Sequence, residues 1–173
     1  TQMAETSIVH LYQRSLDPSL DASQKEALKS EAVKILAQTR YAEDGYFFAV
    51  KKSDKGGYEY VFHAIMETQK GKAFTLETKD SQGVAYRKIM VDTIEKNPNE
   101  GVYVTYNFAH PKTKQDAPKI TYAQYLKDWN WILVSGVYID GIDKQVEGEA
   151  KKTSRNIDSM IGSMMLLTSL VAL

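Results

Sequence analysis

Apolar positions recur at helical steps near both ends of the chain and at strand-like spacing between them. Ile8, Val9, Leu11, Tyr12 and Leu16 form one stripe over residues 1–16, which predicts a helix that Pro18 interrupts. Asp21 followed by Gln24 is a capping-box pattern. Behind it, Ala27, Leu28, Val33, Ile35 and Leu36 predict a second amphipathic helix ending near Arg40. The middle then changes character. GYFFAV at 45–50 and YEYVFHAI at 58–65 predict two strands, joined into a hairpin by the turn SDKGG at 53–57. Residues 66–84 are mixed and loop-like. Ile89, Met90 and Ile94 predict a short helix over 86–96, stopped by Asn97-Pro98. Strands follow at 101–108, 119–126 and 131–139. Five strands in an antiparallel meander, preceded by helices, predict an α+β domain. After Tyr138 the period lengthens again. Ile142, Val146, Ala150, Thr153, Ile157, Ile161 and Met164 predict a long C-terminal helix with one apolar seam, capped by Asp140.

Composition narrows the function classes. The 173 residues are enough for one domain with a core of its own. Lys plus Arg and Asp plus Glu are both 22, so no basic excess points to nucleic acid. Cysteine is absent, and the three histidines lie far apart, so neither thiol chemistry nor a short-spaced metal site is expected. No phosphate-binding glycine loop or nucleophile elbow is present, so no cofactor is expected and the reading is of a protein that is not an enzyme. A hydrolase built on His63 would lack a nucleophile motif. The uncharged stretch MIGSMMLLTSLVAL at 160–173 is shorter than the ~20 residues of a bilayer span and is expected to be the start of one. The expected organisation is a helical segment over 1–40, a sheet domain over 41–140 and a signalling helix over 141–173.

Lys119, in PKITYAQY, has two readings. Lysine on a strand is commonly a solvated edge residue. Buried without a partner, its ammonium costs several kcal/mol or loses its proton, so a buried Lys119 calls for an anion. His63, near a strand end, is either a satisfied core histidine or a donor to a ligand. Tyr103 and Tyr106 have opposite parity and face opposite sides of their strand. Phe48 suits an apolar wall. Tyr46 shares its face and serves packing equally well. Trp129 and Trp131 suit anchoring at a tight turn. Arg40 suits a helix C-terminus, and Tyr122, of opposite parity to Lys119, suits packing.

The order RYAEDGYFF, a hairpin reaching His63, GVYVTYNF, KITY and WNWILVSGVYIDGID resembles the single Cache sensor domain. That PAS-like extracytoplasmic family is common in bacterial methyl-accepting chemotaxis receptors and also occurs in sensor kinases and cyclases. The resemblance implies a long N-terminal helix packed on a five- to six-stranded antiparallel sheet, with a long C-terminal helix leading to the membrane. It implies ligand binding by Lys119, His63 and Tyr106, with Phe48 as a wall and Tyr103 as the alternative tyrosine. The implied ligand is a small carboxylate of the acetate, propionate, pyruvate or lactate class. The implied setting is the periplasmic domain of an inner-membrane chemoreceptor, dimeric through its terminal helices; the alternative is a histidine kinase or diguanylate cyclase sensor. One departure stands out: family members often carry His-Pro after the second strand, where this chain has His63-Ala64.

Overall fold

The computed structural model describes residues 2–41 and 44–139. The expected C-terminal helix and its apolar end lie outside the described residues. No helix among the described residues is long and apolar enough to cross a membrane.

Two helices open the chain, α1 (Gln2–Ser15) and α2 (Ala22–Gln38). The predicted capping box forms in both directions. Gln24 N–H donates to Asp21 Oδ1 (2.8 Å), and Asp21 N–H donates to Gln24 Oε1 (2.9 Å). Leu28, Ala32 and Leu36 are buried at four-residue steps along α2. The chain divides into two compact units, and the one that begins at Leu36 contains the whole sheet.

That sheet has five antiparallel strands: β1 (Tyr46–Lys52), β2 (Tyr58–His63), β3 (Val102–Ala109), β4 (Asp116–Leu126) and β5 (Trp131–Tyr138). The helix α3 (Tyr86–Lys96) precedes β3. The α+β class and the antiparallel pairing are as expected, but the strand order is β2-β1-β5-β4-β3, which is not a simple meander. β1 is the reason. Tyr46 to Val50 are all buried, so this strand carries no solvent face and needs neighbours on both edges. The chain leaves β2, crosses by way of α3 to the far edge and returns through β3 and β4, so that β5 closes against β1. β3, by contrast, alternates in burial as an edge strand does.

Cross-strand pairs identify the inner face. Tyr46 pairs with Gly136, Phe48 with Val134, Lys119 with Tyr138 and Tyr106 with Lys119. α3 packs on this face. Its buried residues Tyr86, Met90, Val91 and Ile94 join one core with Phe48, Val50, Val104, Tyr106, Ile132 and Val134. Each fully buried apolar side chain there contributes about 1.5–3 kcal/mol. Trp129 and Trp131 are buried with their rings edge to face at 4.9 Å, anchoring the β4–β5 turn.

Candidate ligand-binding site

Lys119 is no edge lysine. β4 lies between β3 and β5, and Lys119 is only 1% exposed. Its Nζ donates to Tyr46 Oη at 2.6 Å. The amine lies 3.9 Å from the centroid of Tyr46, 5.1 Å from Tyr138 and 5.5 Å from Phe108. Aromatic faces attract a cation at such distances. No carboxylate pairs with it among the described residues. Burial alone pulls its pKa down from 10.5 to about 7.

Gly136 makes room for this side chain. It faces Lys119 from β5, and a Cβ there would stand 2.8 Å from Lys119 Cε and press on Thr121 Cγ2. Gly136→Ala is therefore expected to push the lysine out of its seat. The expected loss is about 1–3 kcal/mol of stability, as for other overpacked cores, with at least a tenfold loss of ligand affinity. Chemical denaturation and calorimetry on the variant check both.

His63 reaches the same face through a backbone irregularity. Strict alternation along YEYVFHAI would separate His63 from Tyr58 and Tyr60. The pairing shifts between Ala49 and Val50, so that Phe48 opposes His63 while Val50 opposes Tyr60. One extra residue on β2, Val61, thus re-aims His63 to the inner side, as β-bulges do. The imidazole stacks on Phe48 at 5.2 Å and 10° and stands 5.2 Å from the Tyr46 ring. Its Nδ1 accepts the backbone N–H groups of Ile65 (3.3 Å) and Met66 (3.2 Å). The ring proton therefore sits on Nε2, leaving a neutral N–H donor. Burial first, then Lys119, Arg87 and Arg40, lower its pKa to about 3. The Ala64 departure also has a structural reason. Ala64 N–H donates to Phe47 O at 3.0 Å, which a proline could not do, and Ala64 O accepts from Arg40 at 2.7 Å. Arg40 thereby braces the segment after His63, beyond its bonds to Ala37 O and Thr39 O at the end of α2.

Tyr106 is buried on the inner face, stacked on Tyr86 with centroids 3.9 Å apart. Tyr103 does not join it. It is 47% exposed on the opposite face, with its ring 4.8 Å from Tyr122. The parity of β3 decides this, because Tyr106 pairs with Lys119 while Tyr103 pairs with Tyr122. Lys119, His63, Tyr106 and Phe48 thus share one face, and Tyr103 is excluded from it.

Arg87 was not among the candidate residues. It begins α3 beside Tyr86, with its guanidinium 4.7 Å from the Phe74 centroid and Nε 3.3 Å from Tyr86 Oη. Its charge is felt at His63, Tyr60 and Tyr106. Tyr138 and Phe108 were also missed. A salt-bridged corner lies at the ends of their strands. His110 Nε2 meets Asp44 Oδ2 at 3.2 Å, Lys112 Nζ meets Asp44 Oδ1 at 2.9 Å, and the His110 ring stands 4.6 Å from Tyr138. Asp44 lies two residues before Tyr46, and His110 two residues after Phe108, so this corner ties together two of the segments that wall Lys119. A separate cleft of about 350 Å³ opens at the other end of the inner face, between Tyr58, Glu95, Tyr125 and Ile132.

Comparison with known proteins agrees with this architecture. The Cache domain family profile matches residues 20–143. The chain belongs to the Cache domain family. It is 28% identical to the methyl-accepting chemotaxis protein CtpM of Pseudomonas aeruginosa over 169 residues, 95% of this chain and 26% of the relative. A solved methyl-accepting chemotaxis protein from Vibrio parahaemolyticus shares 34% identity with a TM-score of 0.60, covering 82% of this chain and 85% of that one. A Cache chemosensory domain solved for its carboxylic acid recognition shares 25% identity with a TM-score of 0.63, covering 80% of this chain and 90% of that one. The chain spans about a quarter of the length of the curated relatives it matches.

Proposed function

We propose that this chain is the extracytoplasmic sensor domain of a chemoreceptor and that it binds a small carboxylate through Lys119. One observation carries the reading: a lysine 1% exposed, walled by aromatic rings, without a carboxylate partner among the described residues. Such an amine gains most from a ligand that brings the missing negative charge. The similarity to chemotaxis receptors, and to a Cache domain that recognises carboxylic acids, supports the same reading.

In this reading Lys119 anchors one carboxylate oxygen. His63 Nε2–H and the Tyr46 hydroxyl supply further donors, and Tyr106 stands on the other side of the lysine. Phe48 and Phe108 bound the ligand's tail. Arg87 adds positive potential at the N-terminus of α3. Six heavy atoms at ~1.5 kcal/mol each cap the affinity at ~9 kcal/mol, close to micromolar. The receptor setting is part of the same proposal. The domain sits in the periplasm of an inner-membrane protein, pairs with a second copy through its terminal helices and signals through the segment after β5.

The test is a thermal-shift screen of acetate, propionate, lactate and pyruvate, followed by calorimetry. A ligand at 100 times its dissociation constant adds ~2.7 kcal/mol of stability. If none of these acids moves the midpoint, the carboxylate reading fails.

A further inference from the structure

Charge pairing is not the only chemistry open to a buried amine. We propose that Lys119 also forms a reversible imine with the carbonyl group of an α-keto acid, so that the domain captures keto acids covalently as well as by charge. This rests on the reading that a small ligand reaches Lys119.

Three features of the site carry the inference. The first is confinement. Nζ lies among the rings of Tyr46, Tyr138 and Phe108, and among the described residues its one hydrogen bond is to Tyr46 Oη at 2.6 Å. The second is the lack of an internal counter-ion, since no carboxylate among the described residues holds the proton on the nitrogen. Burial brings the pKa to about 7, so about half of the amine is neutral at that pH. An ordinary exposed lysine at the same pH is neutral at roughly one part in a thousand or less. Desolvation activates Schiff-base lysines in the same way. The third is a proton carrier in place. Burial first, then the neighbouring Tyr138 and Tyr106, raise the pKa of the Tyr46 phenol. It therefore stays protonated beside the nitrogen and can pass a proton without remaining ionised.

The chemistry balances without an oxidant or reductant. The Nζ lone pair attacks the keto carbon, and the carbonyl π electrons move to oxygen. That oxygen takes a proton from Tyr46 Oη, which recovers one from the nitrogen, giving a carbinolamine. One further proton, taken up from solvent through Tyr46 Oη, protonates the hydroxyl oxygen as the nitrogen lone pair expels it as water, and a protonated imine remains. Hydrolysis reverses every step. The iminium remains cationic beside the ligand carboxylate, and His63 Nε2–H stays available to that carboxylate.

The experiment treats the folded domain with pyruvate or glyoxylate and sodium cyanoborohydride at pH 7, followed by intact mass measurement and peptide mapping. The expected result is a single reduced adduct on Lys119, at least tenfold above that at any other lysine and slowed by excess acetate. Lys119→Arg keeps a cation but has no nucleophilic amine, so its adduct disappears. Lys119→Met, checked for folding by circular dichroism, serves if the arginine disrupts the site. Acetate binding measured in parallel separates the two readings. If acetate stabilises the domain while Lys119 gains no adduct, or adducts spread evenly over the lysines, the imine is overturned and the carboxylate reading stands. If acetate, pyruvate and glyoxylate all leave the domain unbound and unmodified, both fall.

Discussion

Lys119→Met is expected to abolish carboxylate-induced stabilisation and, at the same time, to raise the melting temperature of the ligand-free domain. The two effects have one cause. In the free domain the lysine is sealed among aromatic rings, with a tyrosine hydroxyl as its one hydrogen-bond partner among the described residues. Its lowered pKa expresses a cost of several kcal/mol for holding a charge there. Methionine has similar length and no charge, and its flexible thioether packs well against rings. Replacing buried charge with matched apolar volume stabilises proteins by roughly 1–4 kcal/mol in comparable cases. The loss of Tyr46's donor offsets about 1 kcal/mol of that. At about 2–4 °C per kcal/mol for a chain of this size, the midpoint should rise by several degrees. A ligand carboxylate then meets no cation and its thermal shift vanishes. Differential scanning calorimetry with and without propionate reads both effects. A variant that is destabilised when free, or that still responds to propionate, contradicts the anchoring role. A binding residue that lowers the stability of the empty domain is the usual trade between activity and stability.

The helices α1, α2 and α3 and all five strands were readable from periodicity because local pattern and burial agree along most of the described residues. The helix expected over 86–96 is α3 (Tyr86–Lys96), since Asn97-Pro98 is an unambiguous stop. The strand order was not readable. A meander and the observed order place the same apolar stretches in strands, and only the all-buried run Tyr46–Val50 hints that β1 needs two neighbours. The site divides in the same way. The parity of β3 made Tyr103 and Tyr106 alternatives, and the pairing of β3 with β4 chose between them. Parity alone would have misplaced His63, because a bulge at Val61 breaks the alternation, and no residue type in YEYVFHAI announces a bulge. Arg87 carried no signal, since an arginine in the first turn of a helix is ordinary on a surface. Only the fold brings the start of α3 to the His63 end of the sheet. Gly136 read as one letter of a family block. The structure gives it a physical reason, the close approach of Lys119.

Ligand affinity should fall steeply with alkaline pH while the stability of the empty domain moves the other way. The carboxylate binds the ammonium form of Lys119, and in the free domain that form is lost above about pH 7. Below that pH the affinity is flat. Above it, binding must take up a proton, so the apparent affinity drops about tenfold per pH unit until the complex itself deprotonates. Between pH 6 and pH 9 the expected loss is on the order of 100-fold. The free domain follows the opposite sign. The folded pKa of Lys119 lies below its ordinary 10.5, so between about pH 7 and 10.5 the unfolded chain binds more protons than the folded one. The empty domain therefore gains stability as the pH rises through that window and loses it again as the pH falls to about 7. His63 acts lower on the scale. Its folded pKa of about 3 against 6.5 gives a contribution present above pH 6.5 and lost as the pH falls towards 3. Calorimetric titrations at pH 8 in buffers of different ionisation enthalpy should show net proton uptake, and Lys119→Arg should remove it because arginine does not titrate in this range. Affinity that stays level from pH 6 to 9, or binding without proton uptake, would mean that the carboxylate meets a permanently charged group instead. Arg87, at the start of α3, would then become the anchor to test.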